Sequence, residues 1–127
     1  MFLQYNLFGI CWAAIILILT VSPGHEMPKT LDWNLLGFDT FSHFAVFGLL
    51  TLLLIVGFAK QFTFKKIRDN AIGFAISIGI LYGILIEGIQ SMVPGRYFDV
   101  ADILANSIGC LTGFIGFYLI YKFSLKQ

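Results

Sequence analysis

The sequence predicts an all-α membrane protein, a compact bundle of four transmembrane helices with both termini cytoplasmic, and four observations carry that prediction. Of 127 residues, 58% are hydrophobic and 12% are charged, and the mean hydropathy of +0.88 is too apolar for a water-soluble globule of this size. Four apolar stretches, roughly 4–21, 41–59, 71–92 and 101–121, are each long enough to cross a bilayer at about 1.5 Å per helical residue. No succession of short segments alternates with a period of two, as a barrel would require. Finally, Lys60, Lys65, Lys66, Arg68, Lys122 and Lys126, six of the eight basic residues, fall on one side of the four-span arrangement. That side is expected to be cytoplasmic.

The first stretch has no Lys or Arg before it and ends in VSPGHEMP without a small-x-small cleavage signal, so it reads as a membrane helix rather than a signal peptide. Residues 24–40 then form an outside loop whose Trp33, Leu35, Leu36 and Phe38 suit the membrane interface. The second helix begins around Asp39 and ends near Lys60, and the connection KQFTFKKIRDN leads into the third. A tight turn at Pro94-Gly95 precedes the fourth helix, where Asp99 is placed as an N-cap and Asp102 follows three residues on, as in a capping box. The chain 1–127 reads as a single domain, with no internal repeat, low-complexity tract or linker.

Charge and cysteine usage narrow the function. The net charge of +1 hides a separation: Lys29 and Arg96 share the outer side with Glu26, Asp32, Asp39, Glu87, Asp99 and Asp102. No basic surface exceeds an ordinary inside loop, so nucleic acid is excluded as a partner. Cys11 and Cys110 lie in apolar segments and read as buried free thiols.

Helical spacing makes the polar residues converge. At about 100° per residue, Asp39 and His43 share a face of the second helix, Glu87 and Gln90 lie within a turn on the third, and Asp99, Asp102 and Asn106 occupy a narrow arc of the fourth. Glu87 and Asn106 are expected roughly 6–9 Å inside the bilayer edge, where they avoid lipid by facing one another. Gly79 and Gly83, and Gly109, Gly113 and Gly116, have the small-xxx-small spacing that lets helix backbones touch, and read as scaffold.

Over nearly its whole length the chain resembles the VanZ-like membrane proteins. The resemblance rests on SP after the first helix, DTFSHFAVFG at 39–48, YGILIEGIQ at 82–90 and the specific motif PGRYFDVADILANSIGCLTG at 94–113. A departure is Thr40, where many relatives carry Lys. The resemblance implies a multi-pass protein of the bacterial cytoplasmic membrane, linked to the cell envelope and to low-level resistance to the glycopeptide teicoplanin. It supplies no mechanism.

The chemistry must come from the cluster. His43 exchanges protons near neutral pH, a buried Glu87 needs a partner or a proton, and Arg96 offers a planar fork for phosphate or carboxylate. One reading is a binding module in which Asp39, Gln90, Arg96, Asp99 and Asn106 line an outer pocket for the headgroup of a membrane lipid or lipid-linked envelope precursor. A second is a membrane-embedded hydrolase or transferase on a phospholipid or polyprenyl phosphate, with His43, Glu87 and Asp102 catalytic. In a third the cluster is structural, Asp39 and Asp99 merely cap helices, and the protein serves other envelope machinery as a partner or as a homo-oligomer. Asp39, Glu87, Asp99 and Asp102 could jointly hold a divalent cation that bridges to phosphate, but no compact ligand motif such as H-E-x-x-H is present, so no metal is predicted and no cofactor is identified. Nor does spacing support a Ser-His-Asp triad.

Overall fold

The computed structural model describes residues 1–22 and 38–124, with side chains for 1–22 and 40–121. Four long helices, α1 (Phe2–Val21), α2 (Phe38–Lys60), α4 (Ala71–Gln90) and α5 (Val100–Ser124), are joined by a short α3 (Lys65–Asp69) between α2 and α4. All four are long and apolar enough to cross a membrane, and there is no strand among the described residues. The interfacial loop expected at 24–40 falls largely outside the described residues.

Two boundaries depart from the sequence reading for local reasons. The third long helix stops at Gln90 instead of Met92, because Met92 and Val93 donate to Ile89 and Gln90 carbonyls (3.0 and 3.1 Å) in tight i to i−3 bonds that end the α-helical ladder. The connection between α2 and α4 contains the helical turn α3, not foreseen from its basic composition. Its entry is held by Gln61, fully buried, whose side-chain amide donates to Phe64 O (2.7 Å) and accepts from Phe64 N (2.8 Å).

Glycine decides how the long helices meet. α2 is central and touches α1, α4 and most extensively α5. A Cβ on Gly109 would fall on the Phe44 carbonyl, and one on Gly113 on the carbonyl of Gly48, so α2 and α5 approach backbone to backbone. A Cβ on Gly79 would meet the side chains of Cys110 and Thr51, and one on Gly83 those of Asn106 and Phe47, so α4 packs against α2 and α5 through side chains seated on its glycines. Gly48 completes this seam from α2 and belongs with the spaced glycines of α4 and α5. α1 lies along α2 and α4, where Gly57 lets its backbone approach at Tyr5, the Trp12 indole donates to Val46 O (3.0 Å) and the Tyr82 hydroxyl donates to Ala13 O (2.6 Å).

Phe47, Leu50, Ile55 and Ile86 fill the centre of the bundle. Large apolar side chains such as Phe8, Leu81 and Leu104 point outward, as a lipid-facing surface requires. Both cysteines are free, but Cys11 is exposed on the outer face of α1, so the expectation of two buried thiols holds for Cys110 alone. The cause is the attachment of α1 along one side, which leaves most of its circumference uncovered. Phe2 stacks on Phe58 and meets Phe64 edge-on, which places the start of α1 beside the basic connection. Phe117 of α5 borders the same region with Asp69 and Asn70. The start of α1 and the Phe117 turn of α5 therefore lie near this basic end, and the described polar cluster gathers at the other.

Candidate functional site

At the end opposite the basic connection, α2 begins, α4 ends and α5 begins, and a sharp turn links the last two. Arg96 N–H donates to Val93 O (3.1 Å) across Pro94 and Gly95, with Gly95 at φ 84°. Proline at the second position and a left-handed glycine at the third are the chemistry of a type II turn. Asp99 then caps α5, its Oδ1 accepting from Ala101 N at 2.8 Å. This tight return sets the first turn of α5 directly against the last turn of α4.

The cluster is built around His43 of α2. Its Nδ1 lies 3.0 Å from Asn106 Oδ1 and 3.5 Å from Glu87 Oε1, and its Nε2 lies 3.9 Å from Asp102 Oδ2. Thr40, one turn before His43, donates its hydroxyl to Asp102 Oδ1 at 3.2 Å. With its amide oriented by its neighbours, Gln90 donates to Glu87 Oε1 (3.2 Å) and its carbonyl accepts from the Arg96 guanidinium. A continuous chain of polar contacts thus runs from Arg96 at the rim, through Gln90 and Glu87, to His43, and on to Asp102, Thr40 and Asn106.

Burial gives the arrangement its chemical tension. Glu87 is 0% exposed and Asn106 1%, while the His43 and Asp102 side chains keep 12% and 10%. Two carboxylates therefore share a low-dielectric space with one imidazole and stand next to the charge of Asp99. Glu87 Oε2 and Asn106 Nδ2 are buried without a hydrogen-bond partner. Unmet hydrogen-bonding capacity of this kind is unfavourable by about 1–3 kcal/mol per group, and more for a charged one. Two surface depressions, one beside Arg68 and Asn70 and one between Phe44 and Thr112, lie away from this cluster.

Of the residues singled out in the sequence, the structure brings together His43, Glu87, Gln90, Arg96, Asp102 and Asn106. Glu87 and Asn106 meet through His43, which stands between them as the shared partner. Asp99 performs the capping role with its side chain, and the side chain of Asp39 lies outside the described residues. Thr40 was missed as a site residue. Its signal was present, since it stands three residues before His43 on the same helix face. It fills, with a neutral hydroxyl, the position where the resemblance expects a lysine.

The family model described as VanZ/LLP1 matches residues 4–121. The Schizosaccharomyces pombe protein C11E3.10 is 33% identical over 90 residues, which is 70% of this chain and 52% of that protein, so the chain spans about half the length of this curated relative. No solved structure matches the chain.

Proposed function

This chain belongs to the VanZ/LLP1 family, and on that premise we propose that the polar end of its bundle recognises the phosphate-bearing headgroup of a membrane lipid or lipid-linked envelope precursor. The observation that carries the reading is Arg96: a guanidinium at the rim, tied by Gln90 to a buried His43–Glu87–Asp102 cluster. An arginine pre-oriented in this way presents its remaining donors to phosphate oxygens, a geometry its planar fork suits. Tyr97, 88% exposed, and Phe98 flank it and suit the headgroup level of a bilayer. The positive-inside distribution of Lys60, Lys65, Lys66 and Arg68 supports the part of this reading in which the polar end faces outward from the cytoplasmic membrane. The association with glycopeptide resistance belongs to the same reading, with the envelope precursor as the bound headgroup.

A second reading has one observation in its favour. His43 stands between two carboxylates, the surroundings of a general acid or base, and this supports a hydrolase or transferase on the same lipids.

The test is mass spectrometry of protein purified in bilayers containing phosphatidic acid, a polyprenyl phosphate and a peptidoglycan lipid precursor. A lipid retained unchanged by the wild type, and at least about 10-fold less by Arg96→Gln, is the expected result for a lost charge-assisted contact. Equal retention by both proteins would remove the headgroup reading, and new lipid products dependent on His43 would replace it with the enzymatic one.

A further inference from the structure

The geometry points to a divalent-cation site formed by His43, Glu87 and Asp102. One donor atom from each of these three residues lies within 4.8 Å of the others. Donor atoms on one shared cation at about 2.1 Å stand roughly 3.4 Å apart at a tetrahedral angle and roughly 4.2 Å apart when opposed. The 3.9 Å between His43 Nε2 and Asp102 Oδ2 falls between those limits and is too long for a direct hydrogen bond.

Asn106 prepares the imidazole for this role. In the tautomer with the hydrogen on Nδ1, that N–H is donated to Asn106 Oδ1 at 3.0 Å and Nε2 is the nitrogen on the Asp102 side of the ring. An imidazole held through its other nitrogen is the usual companion of a metal-binding histidine. Thr40 orients the carboxylate, donating to Asp102 Oδ1 while Oδ2 lies on the His43 side.

The independent observation is Glu87 Oε2. It belongs to a side chain that is 0% exposed, yet it has no hydrogen-bond partner. Its companion oxygen already receives Gln90. A carboxylate oxygen buried in this way beside a second carboxylate is stabilised by added positive charge, and a cation bound among the three residues would supply it. One imidazole with two carboxylates is a borderline donor set, suited to Zn²⁺ or Mn²⁺. The site needs no lipid to form. Only the further role of the ion, as a bridge to a headgroup phosphate below Arg96, rests on the headgroup reading.

The experiment uses the full chain in a phosphate-free sugar detergent, stripped with chelator and titrated with Mn²⁺ or Zn²⁺ alone. One ion per chain is expected, with a higher unfolding temperature when the metal is present, and pulsed electron resonance of bound Mn²⁺ showing an imidazole nitrogen. Glu87→Gln and Asp102→Asn should each weaken binding at least about 10-fold, a loss near 1.4 kcal/mol. Thr40→Lys, which brings an ammonium to Asp102, should abolish it, while Asp69→Asn at the opposite end should change nothing. Substoichiometric binding by the wild type, a bound Mn²⁺ without a nitrogen signature, or affinity unchanged in folded Glu87→Gln would each overturn the site. The nitrogen measurement needs no variant, so a variant that unfolds does not spare the proposal. Metal binding without headgroup retention would remove the headgroup reading and leave the ion site. Retention without metal would do the reverse.

Discussion

The two ends of the bundle each bury a polar side chain completely, and they treat it in opposite ways. At the basic end, Gln61 is 0% exposed and both halves of its amide bond to the backbone of Phe64, three residues away. At the polar end, Glu87 is equally buried, but beside Gln90 of its own helix it meets His43 of α2 and the charges of Asp102 and Asp99, and Oε2 has no hydrogen-bond partner. A buried polar group that closes its bonds locally holds the chain in place, and its role ends there. One that converges with distant groups and keeps unmet hydrogen-bonding capacity costs stability, and the proposals above give it a ligand to hold. Asn6 on α1 is intermediate. Its Nδ2 donates to Phe2 O (2.9 Å) while Oδ1 lacks a partner, but a neutral amide leaves no charge to balance.

The hardest blow to this comparison would fall on what both ends share, the seam between α2 and α5. Gly113→Val would press its side chain into the Gly48 carbonyl, where no rotamer change relieves the clash. A loss of about 3 kcal/mol, at the upper end for overpacking, is expected in unfolding of the detergent-solubilised protein, with both ends failing together. A wild-type unfolding midpoint would mean that the seam does not carry the bundle.

Gln61→Leu tests the basic end alone. It strips the Phe64 backbone of two hydrogen bonds and should cost about 1–2 kcal/mol. Binding of headgroup or metal should persist in the molecules that remain folded. If binding disappears from the folded fraction, the two ends are coupled and the contrast between them fails.

The smallest effect on stability is expected at the polar end. Glu87→Gln keeps the shape and removes a buried charge, so unfolding should stay within about 1 kcal/mol of the wild type while function is lost. The sign is what matters. If Glu87→Gln proved more destabilising than Gln61→Leu, Glu87 would be a structural residue and the polar end a second scaffold.

How much of this was legible differs from helix to helix. The spans themselves were readable because a bilayer demands long uncharged runs, and the cap at Asp99 and the turn at Pro94-Gly95 because both depend on neighbours in sequence. The meeting of His43 with Glu87, Asp102 and Asn106 could be anticipated from helical phase, since polar groups at the ends of apolar helices have few other places to go. The bonds of Thr40 to Asp102 and of Gln90 to Arg96 could not, because each joins separate elements at distances fixed by how the helices cross. The burial of Gln61 and the turn of α3 were hidden for a similar reason: a polar, basic connection gives no periodic signal.

By itself, the sequence determined that this protein has four stretches long and apolar enough to cross a membrane and which polar residues stand near which helix ends. Those properties follow from apolar length and from the 3.6-residue period, both local to a segment. Tertiary structure decided which of those residues touch. The backbone seam of Gly48, Gly109 and Gly113 sets the depth at which α5 lies against α2, and so brings Asp102 within 3.9 Å of His43. It also decided that Gln61 would finish satisfied and Glu87 would not. The number of partners a buried group finds depends on every element around it, and no segment carries that information alone.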